Sequence, residues 1–418
     1  MCIERPNILY YYYHHHNPKG GTMRVDKSVA SIASKLKLKS SSLTVLQKAK
    51  VEKGYAYMTN LDTSVIIQVG CETDEGYLDP VLYGKTGKLQ ISMTSFEEGM
   101  GPEEFPVIPS GEVKAVIPAC LFKKSLKSIA GFTSKDETRA CLCGVHFRKD
   151  KQWISATDGH IMMIDRIGEL PCLQTVPPIP EDFILSTEAI DVLGVFGFEV
   201  QSARIIGRPT VEKLPIEAPP VESEETPPGE GEDGPKEGAE EEPKESVEEA
   251  PQYVSSGSYI HFKGDGWELL SKLIEGPYPD IARLFPKRQG KVRYDETKRD
   301  ALLSAIDAVL PIANPKTHSI KLDDKGFVKV SNSNLGKSWK RKVGGKIVSS
   351  HIPEIGFNAL KLKQVLAAMN DEGFAMNYGK SEISGVMLDQ RNRSTLIMPL
   401  RIIKDEGSEE VVDEYTEI

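Results

Sequence analysis

The chain has 418 residues, of which 39% are hydrophobic and 27% charged, enough apolar material for packed cores in two to four soluble domains. No apolar run approaches the ~18 residues of a membrane span, and Met1 to Thr22 lacks the basic region and apolar core of a secretory signal, so a cytoplasmic protein is expected. The net charge of −9 is unevenly spread: residues 211–250 hold fifteen acids against three bases and residues 403–418 seven against one, which leaves a basic body of +9 and points to a polyanionic partner.

Residues 1–22, with Tyr10 to Tyr13 and His14 to His16, form an N-terminal extension expected to be disordered, and Met23 is a candidate start. From there MRVDKSVASIASKL predicts an amphipathic helix over Asp26 to Leu38, with Val29, Ile32 and Leu36 inside and Lys27 and Lys35 outside. SVIIQV reads as a strand, whereas CETDEGYLDPVLYGKTG is too short and broken to supply a second helix. VIPACLFKKSLKSIAGF predicts a helix over Ala119 to Ala130 that sets Lys123, Lys124 and Lys127 opposite the stripe of Phe122, Leu126 and Ile129. Alternating strand patterns follow in GVHFRKD and WISATDGHIMMID. The helix in FILSTEAIDVLGVF offers Glu188 and Asp191 where the others offer lysines.

FEVQSARIIG and YVSSGSYIHFKG are strand-like runs on either side of residues 209–252, a Pro-, Glu- and Gly-rich stretch with almost no large apolar side chain. It cannot bury enough surface to offset the entropy of ordering, so it is expected to be a disordered acidic insertion, an overgrown hairpin loop. Next, VRYDETKRDALLSAIDAVL opens a helix with Lys298 and Arg299. KSWKRKVGGK then gathers Lys337, Lys340, Arg341, Lys342 and Lys346 around Trp339, as a DNA contact or as a protective charged edge strand. IGFNALKLKQVLAAMN stripes Leu362, Val365, Leu366 and Met369 opposite Lys361, STLIMPLRI is a last strand, and 403–418 is an acidic tail expected to be disordered.

The recurring unit is an extended run, a polar or turn residue and a helix of about three turns. EEFPVIPSGE and GPYPDIARLFP each place an aromatic-Pro pair before an apolar turn and a new unit. Cuts near Ser110 and Gln289 therefore give three modules: a shortened 23–112, then 113–289 and 290–402. Two helices each would make six; five are found, and the first module is one short. The expected class is α+β, with repeated modules of antiparallel sheet and helix. Lysines recurring on equivalent helices suit one cationic surface for a phosphate backbone without any base-reading group, a solvated helix face being the bland alternative. The candidate DNA-binding residues are Lys27, Lys35, Lys123, Lys124, Lys127, Lys298, Arg299 and Lys361.

For an enzyme the best lead is Thr157-Asp158-Gly159-His160, where Asp158 and His160 would act as base and orienter or bind a metal, as in a hydrolase. The chain lacks a H-E-x-x-H, a G-x-S-x-G, a Walker loop and a dinucleotide-binding glycine fingerprint, and a structural turn is the preferred reading. Six cysteines without a C-x-x-C make neither a zinc framework nor a small disulfide scaffold. Cys141 and Cys143 are expected to be reduced core thiols on one face of a strand. No metal or cofactor is expected.

At SATDGHIMMIDRI, LIEGPYPDIARLFP and STLIMPLRI, with further matches at FNALKLKQVLAAM and EEFP, the chain resembles the sliding clamp of bacterial replication, the beta subunit of DNA polymerase III. The resemblance covers residues 113–402 well and 23–112 loosely. It implies a ring of two subunits joined head to tail, each of three similar domains, with helices lining the hole and sheets forming the outer wall. Such a ring encircles duplex DNA without sequence preference, is placed by an ATP-driven loader, and tethers the replicative polymerase and other replication and repair proteins. It also implies a pocket for short peptides between the second and third domains. The matching positions are Thr157, Gly159, His160, Ile161 and Met162, then Pro279, Arg283 and Leu284, then Leu396, Met398, Pro399, Leu400 and Arg401, with Arg139, Leu142, Ile383 and Gly385 matching more loosely. A Met-rich groove rimmed by Arg suits the anchoring of hydrophobic side chains.

Departures from the family pattern are Ile161 where a basic residue is usual, the acidic tail, the thinned first module and residues 1–22, which have no counterpart. Such divergence suits a viral or plasmid clamp. The thinned module also motivates a second reading, a decoy that binds replication peptides without closing around DNA.

Overall fold

The structure is a computed structural model that describes residues 27–69, 75–78, 93–95, 101, 104–167, 178–207, 257–287, 290–323, 326–332, 337–347, 354–369, 373–379 and 384–401. The N-terminal extension, the acidic insertion, the tail and Ile383 lie outside these residues. The chain begins with α1 (Lys27–Lys35), β1 (Ala49–Glu52), β2 (Tyr55–Thr59), β3 (Thr63–Gln68), β4 (Gly76–Leu78) and β5 (Met93–Ser95). Two units of strand, helix and three strands follow. They are β6 (Val113–Ile117), α2 (Ser125–Ala130), β7 (Gly144–Arg148), β8 (Trp153–Thr157), β9 (Ile161–Arg166), then β10 (Phe183–Ser186), α3 (Thr187–Val195), β11 (Ser202–Ile206), β12 (Tyr259–Gly264), β13 (Trp267–Lys272). The plan repeats in β14 (Gly290–Tyr294), α4 (Glu296–Val309), β15 (Ser319–Leu322), β16 (Phe327–Asn332) and β17 (Lys337–Lys342). After the short β18 (Lys346–Ile347) it recurs as β19 (Ile355–Asn358), α5 (Ala359–Ala367), β20 (Phe374–Tyr378), β21 (Val386–Asp389) and β22 (Arg393–Ile397).

Within each pair of units the leading strands are exchanged. β6 pairs with β11 and β10 with β7, just as β14 pairs with β20 and β19 with β15, all antiparallel. The exchange locks two units into one body, because neither sheet is complete without the other unit's leading strand. β11 and β12 are antiparallel neighbours, Ile206 opposite Tyr259, so the insertion joins two adjacent strands.

Strand pairing also joins one body to the next. β3 pairs with β13, giving a nine-stranded sheet in the order β5-β4-β1-β2-β3-β13-β12-β11-β6. β9 pairs with β22, giving a second nine-stranded sheet, β10-β7-β8-β9-β22-β21-β20-β14-β18. The third sheet, β17-β16-β15-β19, has four strands.

The α+β expectation holds, with five α-helices among the described residues, all packed on one shared core. Their apolar stripes (Val29 and Ile32 of the first, with Leu36 just past its end; Leu362, Val365 and Leu366 of the last) are at most 1% exposed and merge with alternate strand residues into one cluster. Neighbouring helices touch in the order α1, α3, α2, α5, α4. Lys35 pairs with Asp191 at 3.3 Å, Gln364 donates to the carbonyl of Gly131 at 2.7 Å, and Lys363 pairs with Asp307 at 2.5 Å. Gly194 lets the stem of Lys127 lie against α3, since a Cβ there would fall 2.4 Å from Lys127 Cε.

Two local expectations are corrected. The helix expected over Ala119 to Ala130 starts only at Ser125, after a separate 3-10 turn at Ala119–Leu121. Phe122, with ψ near 80°, breaks it so that its ring reaches Phe262 and Phe147, at 4.7 and 5.7 Å between centroids. Cys141 and Cys143 are free thiols as expected, but they are half-buried in a 3-10 segment, Glu137–Cys143, and β7 begins only at Gly144. Asp136 caps that segment by accepting the amide of Thr138, which holds the cysteines off the sheet.

Candidate functional site

Strands alternate their faces, so β9 sends Ile161 and Met163 to the helix side and Met162 and Ile164 to the other. On that outer face Met162, Ile164, Met387 and Leu396 form an apolar floor, and Ile281 packs onto it from the segment 276–285. Trp153, Tyr278, Phe285 and Met398 surround the floor, each half-buried. Leu396 stands opposite Met162 across the β9/β22 seam, so the floor is built equally from the second and third modules.

The rim is set by the turn between β8 and β9. Thr157 Oγ1 donates to the carbonyl of Ile161 at 2.7 Å and accepts the amide of Gly159 at 3.1 Å. Asp158 Oδ1 accepts the amides of His160 and Ile161, at 2.8 and 2.9 Å, and its other oxygen pairs with Lys361 of α5. Gly159 has φ +92°, a left-handed conformation that favours glycine, and Arg139 Nη1 would lie 3.1 Å from a Cβ there. The amide of Met398 donates to the carbonyl of His160 at 2.8 Å, and the amide of Leu400 to that of Gly356 at 2.8 Å.

Burial raises the pKa of Asp158, but the ammonium of Lys361 and the two amides outweigh it and hold the carboxyl below its ordinary range. Both oxygens are thus engaged in structure, which fits the structural-turn reading. No group of metal-binding side chains occurs among the described residues.

Of the expected pocket residues, Met162 and Leu396 lie in the floor with Met398 beside them, Gly385 packs against Leu396, and Arg139 stands next to Gly159. His160, Pro279, Arg283, Leu284 and Arg401 are exposed, and Pro399 and Leu400 are half-buried. Leu142 and Thr157 are buried beneath the rim. Ile161 is 1% exposed in the helix-side core and faces away from the groove. Sequence reasoning missed Trp153, Ile164, Tyr278, Ile281, Phe285 and Met387. The period of two along WISATDGHIMMID was the available signal for Trp153 and Ile164.

The candidate DNA-binding residues separate. Lys123 and Lys124, just ahead of α2, and Lys127 within it are exposed. Lys35 is paired with Asp191 and Lys361 with Asp158, while Lys298 is half-buried. Arg299 is 8% exposed and reaches Asp300 and the carbonyl of Met369. The side chain of Lys27 lies outside the described residues.

This architecture has known counterparts. The beta subunit of DNA polymerase III from Thermotoga maritima superposes with a TM-score of 0.64 at 17% identity, over 90% of this chain and 97% of that one. The sliding clamp of Bacillus subtilis gives 0.63 at 16% identity, over 91% and 99%. The fold is that of the beta sliding clamps. By sequence, the beta sliding clamp of Synechocystis is 22% identical over 353 residues, 82% of this chain and 78% of the relative. That of Pseudomonas putida is 28% identical over 135 residues, and the match spans about a third (36%) of that clamp's length. No family model matches the chain.

Proposed function

We propose that this chain is a DNA sliding clamp, a ring-forming processivity factor that encircles duplex DNA and docks replication proteins by short peptides, without catalysis of its own. The observation that carries the reading is the likeness to clamp structures along nearly the whole chain, with the described α-helices in one row against the shared core. In a closed ring that row faces the DNA, and the exposed Lys123, Lys124 and Lys127 are its cationic centre. The modules divide at residues 23–112, 113–289 and 290–402, two copies joining head to tail in the cytoplasm. The replicative polymerase, other peptide-bearing proteins and a loader ATPase are the partners. The groove over Met162, Met387 and Leu396 receives the peptides, with Arg139, Arg283 and Arg401 on its rim.

The test is retention after loading on nicked circular DNA, compared with the same DNA linearised. A clamp stays on the circle and runs off the ends; equal loss from both refutes encirclement. Replacing Lys123, Lys124 and Lys127 by Glu should shorten retention and flatten the log–log salt dependence by up to about 2.7, at about 0.9 per phosphate contact. A strictly monomeric chain at micromolar concentration, with peptide binding intact, would instead favour the decoy.

A further inference from the structure

Beside the groove, behind the segment that carries Tyr278 and Asp280, lies a cavity of about 420 Å³ lined by His146, Arg148, Asp150, Asp182, Tyr278 and Asp280, among others. Its charges are lopsided, three carboxylates against one guanidinium. Arg148 is already divided between Asp150, at 2.5 Å, and Asp280, at 3.2 Å. Asp182 accepts the amide of Lys149 with one oxygen, while the other stands 4.0 Å from His146 Nε2, beyond hydrogen-bond reach. His146 is only 6% exposed, and its Nδ1 is buried without a hydrogen-bond partner. Desolvation lowers the pKa of this ring and so favours its neutral form, which offers one N–H donor and one acceptor nitrogen. The ring stacks on Tyr278 at 4.3 Å, which gives the cavity an aromatic wall.

The cavity and the groove share structure. Tyr278 packs on the apolar floor with one part and on His146 with its ring. Asp280 joins Arg148 in the cavity to Arg283 on the groove rim, the latter at 3.1 Å. An anion would meet three carboxylates here, and an apolar group would offer nothing to the second oxygen of Asp182 or to His146 Nε2 beside it. A cation with several N–H donors answers both features, and its alkyl stem suits the aromatic wall.

We propose that this cavity is a specificity subsite that takes the Lys or Arg side chain flanking the apolar anchor of a docked peptide. The proposal rests on the peptide-groove reading and adds a charge requirement to it. The test is fluorescence anisotropy on the full chain with labelled synthetic peptides that share a Leu-Phe anchor and carry Lys, norleucine or Glu at each flanking position in turn. At one position Lys should bind about fivefold tighter than norleucine, with Glu weakest. Asp182→Asn, which keeps an acceptor for the Lys149 amide, should abolish that preference and bring the Lys and norleucine peptides to equal affinity. Equal affinity for Lys and norleucine at every position, with normal binding of both, overturns the subsite while the groove stands. Failure of every peptide to bind overturns the groove and the subsite together.

Discussion

Arg393 opens β22 directly opposite Asp165 of β9, and the two form a double-pronged ion pair with contacts of 2.6 and 2.7 Å. The same guanidinium donates to the carbonyl of Ala368 just past α5, at 2.9 Å, and is 7% exposed. One side chain therefore fastens the seam between the second and third modules on both the sheet and the helix level. Arg393→Ala would leave a carboxylate unpaired in that seam and should cost about 3–5 kcal/mol in urea denaturation. A double replacement, Arg393→Met with Asp165→Leu, should recover most of it. Asp158 makes the second cross-module tie, and its sign with pH is fixed by its depressed pKa. Its contribution is complete above the unfolded carboxylate pKa of about 3.9 and is lost as pH falls through the lower folded value. Lys361→Met removes the ammonium that opposes desolvation, so acid unfolding of the variant should begin at a higher pH than in the wild type. Equal acid midpoints would show that Lys361 adds nothing to the tie.

At the scale of elements, three helices begin where a strand or its following residue supplies the cap. Ser186 accepts the amide of Ala189, Asp295 that of Lys298 and Asn358 that of Lys361. A strand can thus run straight into a helix without leaving amides unsatisfied, which is why the strand-helix unit repeats so compactly. Asp295→Ala should cost about 1 kcal/mol, measurable as a lowered denaturation midpoint at unchanged slope. α3, α4 and α5 were legible because cap, stripe and extended lead appear together in a local window. α2 was not, because the place where it breaks is decided by Phe122 seeking Phe262, 140 residues away in the chain. The groove was legible only where its residues lie in strands with period two. Ile281, Tyr278 and Phe285 belong to a segment that folds over the sheet from a distant part of the chain, and nothing local marks which side chains meet the floor. The lysines carry the same lesson: a helical wheel turns Lys35 and Lys361 outward, but Asp191 and Asp158, 156 and 203 residues away, wait for them there.

For the whole molecule the open question of assembly narrows to sheet edges, because strand pairing already makes both seams within the chain. Among the described residues β17 pairs only with β16 and so stands at the edge of the four-stranded sheet. Its sequence, KSWKRK, holds four positive charges, and Lys340 and Lys342 are exposed with their ammonium groups over the ring of Phe327, at 4.4 and 5.9 Å. Pairing of this strand with its own copy about a twofold axis would bring like charges together, each opposed pair costing up to about 1 kcal/mol. A surface of opposite charge is therefore the better partner, and among the described residues the first module exposes Glu75 and Glu104. Contact between unlike surfaces is heterologous, the kind that the proposed head-to-tail ring requires. Sedimentation equilibrium should then show the oligomer loosening as ionic strength rises, since screening weakens attraction between unlike edges. Lys340→Glu combined with Lys342→Glu should loosen it further at low salt. If salt instead tightens the assembly, β17 is meeting its own copy, and a ring closed through this edge is wrong.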